Sequence, residues 1–89
     1  MTDAEKLERG HKAIQLKSNQ VFMDAVRAVR NRLFVEWLNS GSGNVGEREG
    51  LYKESQVLNK IVSELQSYIE DVKQIKNLQA QADAEYGIL

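Results

Sequence analysis

The chain has no cysteine and no proline, a single histidine and a single tryptophan in 89 residues. Without cysteine there is no disulfide. His11, standing alone, cannot supply the thiolate and imidazole set that builds a structural metal site. A short chain buries a smaller share of its surface than a long one, so a thin core is expected here, supplemented by oligomerisation rather than by covalent or metal staples. The lack of cysteine is compatible with a reducing compartment.

Long apolar runs are missing too. None approaches the roughly 20 residues of a membrane span, and the first residues read Asp3-Ala4-Glu5-Lys6-Leu7-Glu8-Arg9 rather than a basic stretch followed by an apolar one. A soluble chain with no export signal and no membrane partner is expected. Lys plus Arg number 12 and Asp plus Glu 13, for a net charge of -1. That balance offers no general attraction for polyanions, so nucleic acid is not expected as a partner.

With proline absent, glycine is the remaining punctuation. Three of the six glycines, Gly41, Gly43 and Gly46, fall in the stretch Asn39-Ser40-Gly41-Ser42-Gly43-Asn44-Val45-Gly46, which reads as the one loop. Ahead of it, Ser18 or Asn19 is placed to cap a helix. Val21, Phe22, Ala25, Val26, Val29, Leu33, Trp37 and Leu38 then follow helical spacing to about residue 39. Behind it, Asn44 is a candidate cap, and Glu47 and Glu49 put negative charge where the helix dipole favours it.

The most regular signal lies beyond the loop. Leu58, Ile61, Leu65, Tyr68, Val72 and Ile75 recur at steps of three and four, and Val62 and Ile69 widen the stripe. This is a helix built to lie against other helices, with coiled-coil character. At ~1.5 Å per residue the first helix is roughly 30 Å long and the second, run from 47 to 82, roughly 50 Å. The surplus stripe at Ile69, Val72, Ile75 and Leu78 must be covered. One cover is the amino-terminal segment, where Thr2 or Asp3 can cap a short helix carrying Ala4, Leu7, Ala13, Ile14 and Leu16, interrupted by Gly10. The other is a partner. A tail ending in Tyr86-Gly87-Ile88-Leu89 is apolar on a chain otherwise polar near its termini, and extends the same candidate partner surface.

Four features are candidate carriers of chemistry. His11 sits beside Gly10 in a polar segment and reads as a surface residue. Arg27, Arg30 and Arg32 are diluted by Asp24 and Glu36, with no interleaved aromatic for base stacking, and read as a solvated, salt-bridged face. Glu64, Glu70 and Asp71 have Lys60, Lys73 and Lys76 within helical contact distance, so ion pairing accounts for them better than a bound cation. The Gly/Ser loop lacks a following Lys-Ser or Lys-Thr and a preceding strand, and so fails as a phosphate cradle. Trp37 and Tyr52 are expected to meet across that loop as a packing cap. No catalytic, cofactor-binding or metal site is assigned.

The pattern Glu8-Arg9-Gly10-x-x-Ala13, Asn19-x-x-Phe22-x-x-Ala25, Leu33-x-x-x-Trp37, Arg48-Glu49-x-Leu51-Tyr52 and Leu58-x-x-Ile61-x-x-x-Leu65-x-x-x-Ile69 spans most of residues 8 to 76. It resembles small uncharacterised helical proteins of tailed bacteriophages. It departs from them at Asp71-Val72-Lys73, where a glycine-lysine pair is expected. The resemblance implies a phage origin, a place in the virion or the host cytoplasm, and either an assembly role or a host-directed inhibitor.

The sequence therefore predicts an all-α fold: an antiparallel helical hairpin with an additional short N-terminal helix, oligomeric, in a single domain. The segments are 1–17, a helix over 18–39, a loop at 40–46, a long helix over 47–82 and a tail at 83–89. The expected hairpin core is Val26, Val29, Leu33, Trp37, Leu51, Leu58, Ile61 and Leu65. The expected function is a non-enzymatic protein–protein interaction module without cofactors. Its partner is another copy, a larger multimer or, alternatively, a host protein that it inhibits. Ile69, Val72, Ile75, Leu78, Tyr86, Ile88 and Leu89 are the candidate partner surface.

Overall fold

In a computed structural model the chain is all-helical, with α1 over Asp3–Lys17, α2 over Gln20–Asn39 and α3 over Val45–Gly87. The structure describes residues 1–87, the side chains of residues 85–87 excepted. Among the described residues there is no strand.

Helices α1 and α2 each begin where a side chain satisfies an orphan amide. Thr2 and Glu5 form a reciprocal capping box: the Glu5 amide donates to Thr2 Oγ1 at 3.2 Å, and the Thr2 amide donates to Glu5 Oε1 at 3.1 Å. Asn19 Oδ1 accepts from the Phe22 amide at 2.9 Å and opens α2. Between the two helices the Ser18 hydroxyl and amide both turn back to the Ile14 carbonyl, which closes α1.

The turn before α3 is shorter than the sequence indicates. Helix α3 starts at Val45, two residues ahead of the expected Glu47, because Asn44 organises the entry: its carbonyl accepts from the Arg48 amide and its side-chain amide donates to Glu47. Gly46 falls in the first turn, where a missing side chain costs least. At the far end the helix runs past residue 82 to Gly87. Ala80, Gln81, Ala82, Ala84 and Glu85 are good helix formers with no breaker among them, so most of the expected tail is helical.

Helix α1 lies on α3, as Lys17 donates to Gln66 at 2.5 Å and Arg9 reaches Asp71 at 3.3 Å. Helix α2 follows along the next stretch, with Arg30 on Asn59 at 3.3 Å and Trp37 beneath the Arg48 guanidinium. The contacts thus step down α3 as the first two helices step along the chain. Gly10, expected to interrupt α1, is helical and buried at the α1–α3 contact. The extents are 70 × 25 × 22 Å. Two helices of ~10 Å diameter side by side account for the width in one of the shorter directions. The radius of gyration is 19.5 Å, against roughly 12 Å for a compact chain of this length.

Two layers of helix leave little interior. Ala13, Val26, Leu51, Ile69, Val72 and Ile75 are the buried apolar residues, and none of the larger side chains is fully sealed. The expected core is therefore only partly realised. Val26 and Leu51 are buried; Leu33, Leu58 and Leu65 are half-buried; Val29, Trp37 and Ile61 are exposed. A single helix laid on α3 covers a narrow strip, and residues a third of a turn away stay in water.

Candidate interaction surfaces

Two apolar surfaces run along α3, one closed and one open. The closed one is the distal stripe that the sequence marks for a partner. Ile69, Val72 and Ile75 are buried there, and their cover is α1 of the same chain. Gly10 lets the two backbones approach: a Cβ at that position would overlap the Val72 side chain and stand 2.6 Å from the Tyr68 carbonyl oxygen. Ala13, one turn on, continues the small-residue seam at 4% exposure.

The polar margin of this contact is set by Arg9. Its guanidinium lies over the Tyr68 ring at 3.8 Å from the centroid, and Nη2 meets Asp71 Oδ2 at 3.3 Å. The flat cation meets a ring face and a carboxylate at once, and its plane stacks on the ring as a lysine ammonium does not. Asp71 is thereby paired across helices with Arg9, whereas Glu70 pairs with Lys73 on its own helix at 3.3 Å. Hydrogen bonds from Gln66 and Lys73, then the Lys73 charge, hold the Glu70 carboxyl below its ordinary range.

Of the remaining partner-surface residues, Leu78 is 65% exposed beyond the reach of α1. Tyr86 falls in the last turn of α3, with its side chain outside the described residues, as are Ile88 and Leu89 altogether. The stripe therefore divides: three residues go to intramolecular packing and one stays open.

The open surface lies at the other end, between α2 and the first turns of α3. A groove of about 340 Å³ is lined by Arg30, Leu33, Phe34, Trp37, Leu51, Tyr52 and Ser55. A second hollow of about 340 Å³, sharing Trp37 and Tyr52, continues over Ser42, Val45, Arg48 and Glu49. Phe34 is 57% and Tyr52 61% exposed. Trp37 and Tyr52 do line one groove, but Trp37 packs under Arg48, at 4.2 Å from the ring centroid.

Phe34 carries no weight in the sequence reading, which follows the Val26–Leu33–Trp37 side of α2. The signal that reveals it is the i, i+4 pair Phe34 and Leu38, both 57% exposed, on a second side of the same helix. Among the described residues no group of three His, Cys, Asp or Glu side chains is placed to hold a metal ion. His11 and Arg32 are exposed, and Arg27 pairs with Asp24. No helix in the described residues is long and apolar enough to cross a membrane.

The chain matches no protein-family model, and comparison with curated proteins and with solved structures returned no match.

Proposed function

We propose that this chain is a non-enzymatic helical interaction module that acts as a self-associating assembly subunit. In this reading α1 and α2 close on α3 within one chain as a long hairpin, and copies then join through the apolar surface that remains. One observation carries it. The chain exposes 6819 Å², whereas a compact protein of 10.1 kDa exposes about 5,300 Å². The exposed surface carries large apolar side chains, among them Phe34, Leu38, Tyr52, Val57 and Ile61. A surface of that kind marks an interaction site.

A bacteriophage setting is supported by the sequence resemblance alone. The mass of the full chain in solution tests the assembly reading. A discrete oligomer is expected. A monomer at ~100 μM, above the range of most specific contacts, would overturn self-assembly and favour the alternative, a small regulator that docks on a different protein.

A further inference from the structure

We propose that α2 is a strap that opens off α3 as a unit, pivoting at Asn19, while α1 stays clamped on the distal half of α3. The interior is divided unequally between the two shorter helices. The 15 residues of α1 meet α3 through four sealed apolar side chains, Ala13 on one side and Ile69, Val72 and Ile75 on the other. Along the 20 residues of α2 there are two, Val26 and, on α3, Leu51. Between Leu33 and Leu51 lies the groove of about 340 Å³ rather than packed side chains. An unfilled hollow forfeits the dispersion contacts that hold helices together.

The polar ties follow the same division. Arg9 and Lys17 of α1 hold Tyr68, Asp71 and Gln66. From α2 to α3 there are the exposed Arg30 hydrogen bond to Asn59 and the Trp37 ring under Arg48, and among the described residues no ion pair.

Both ends of α2 permit the movement. Ser18 keeps helical backbone (φ -85°, ψ -8°) and Asn19 alone is extended (φ -76°, ψ 118°), so rotation at one residue redirects α2 without disturbing α1. At the other end residues 40–44 join α2 to α3. A tether of that length extends to roughly 17 Å, about twice the ~8–10 Å between the axes of packed helices. A Cβ at Gly41 or Gly43 would meet nothing within 4 Å, so nothing packs against the tether there.

Once off α3, α2 is a weak helix. Val21, Val26, Val29 and Val35, with Phe22, Phe34 and Trp37, lower its propensity, and without tertiary packing such a helix is marginal in water. Its amides therefore exchange with solvent whenever the strap opens. The same opening lays bare Val26, Leu33, Leu51 and Leu58, so the apolar surface that the chain offers is gated by α2 rather than fixed.

Native-state hydrogen exchange of the full chain, read residue by residue, provides the test. Extrapolation to the dilute limit separates opening from self-association, which protects α2 only as concentration rises. Protection through the middle of α2 is expected to be uniform and at least about tenfold below that of α1 and of α3 over 66–75. Leu51→Ala should lower it a further tenfold or more, roughly, and leave α1 and 66–75 unchanged; Ile69→Ala should do the reverse. Equal protection in α1 and α2, or a loss in both from either variant, makes the hairpin one cooperative unit and overturns the strap. Protection in α2 that climbs steadily inward from both ends is fraying, and overturns it too. If Leu51→Ala does not fold, the wild-type comparison of α1 with α2 decides alone.

Discussion

Gly10 of α1 and Val72 of α3 pack so closely that residue 10 has no room for a side chain. The nearest immovable atom is the Tyr68 carbonyl oxygen, 2.6 Å from where a Cβ would stand. Backbone cannot step aside as a flexible side chain can, so Gly10→Ala must lift α1 from α3. Its helix-propensity gain of up to ~1 kcal/mol is outweighed by an overpacking cost of about 1–3 kcal/mol. The urea midpoint should fall. Gly50→Ala is the control, since nothing lies within 4 Å of its added methyl, and the midpoint should rise. A stabilised Gly10→Ala would show that α1 is seated elsewhere.

Burial separates two residues of α3 that the hydrophobic pattern treats alike. Ile69 is 9% exposed and Ile61 54%. Ile69→Ala should cost about 2–5 kcal/mol, while Ile61→Ala should stay within about 0.5 kcal/mol in the monomeric state. Equal costs, measured by denaturant titration at a concentration where the chain is monomeric, would contradict the placement of α1 and α2 on α3.

The helices were legible because their signals are local. The caps at Thr2 and Asn19, the glycine cluster and the regular stripe depend on residues within a turn or two of each other. The choice of cover for Ile69, Val72 and Ile75 was not legible, because an intramolecular α1 and an intermolecular partner satisfy the same stripe equally well. Gly10 held the clue. Read as an interruption of α1, it is instead the position that admits close approach to α3, and nothing in the spacing of its neighbours distinguishes those roles. Phe34 was missed for a related reason: a helix only one layer from solvent on most sides can carry two apolar stripes, and spacing alone does not rank them.

Arg9 is expected to hold α1 more by its plane than by its charge. The guanidinium is 3.8 Å above Tyr68, and its partner Asp71 is 30% exposed, so solvent screens the ion pair. A double-mutant cycle between Arg9→Ala and Tyr68→Ala should give a coupling of about 0.5–1 kcal/mol. The coupling with Asp71→Ala should be smaller and shrink further in 0.5 M salt, well beyond the screening of physiological buffer. Arg9→Lys, which retains charge and loses the stack, should resemble Arg9→Ala; full retention of stability in Arg9→Lys would refute the stacking role.

The start of α1 should respond to acid. The Glu5 carboxyl is held below its ordinary value of 4.5 by the Thr2 amide and then by the Thr2 hydroxyl. A carboxyl depressed in the folded state favours folding above its unfolded pKa, and that contribution fades as pH falls through the folded value. Amide exchange in the first turn of α1, corrected for the intrinsic pH dependence of exchange, should therefore be slowest near neutrality and accelerate as Glu5 is protonated below its ordinary range. Glu5→Gln should remove most of that acid response, because the neutral amide can still accept from Thr2 but no longer titrates. The Glu70 carboxyl is also depressed, chiefly by Gln66 and Lys73 on the same helix, and its protonation should act on α3 locally. If Glu5→Gln leaves the acid response of the first turn intact, the capping box does not govern the amino-terminal end of α1.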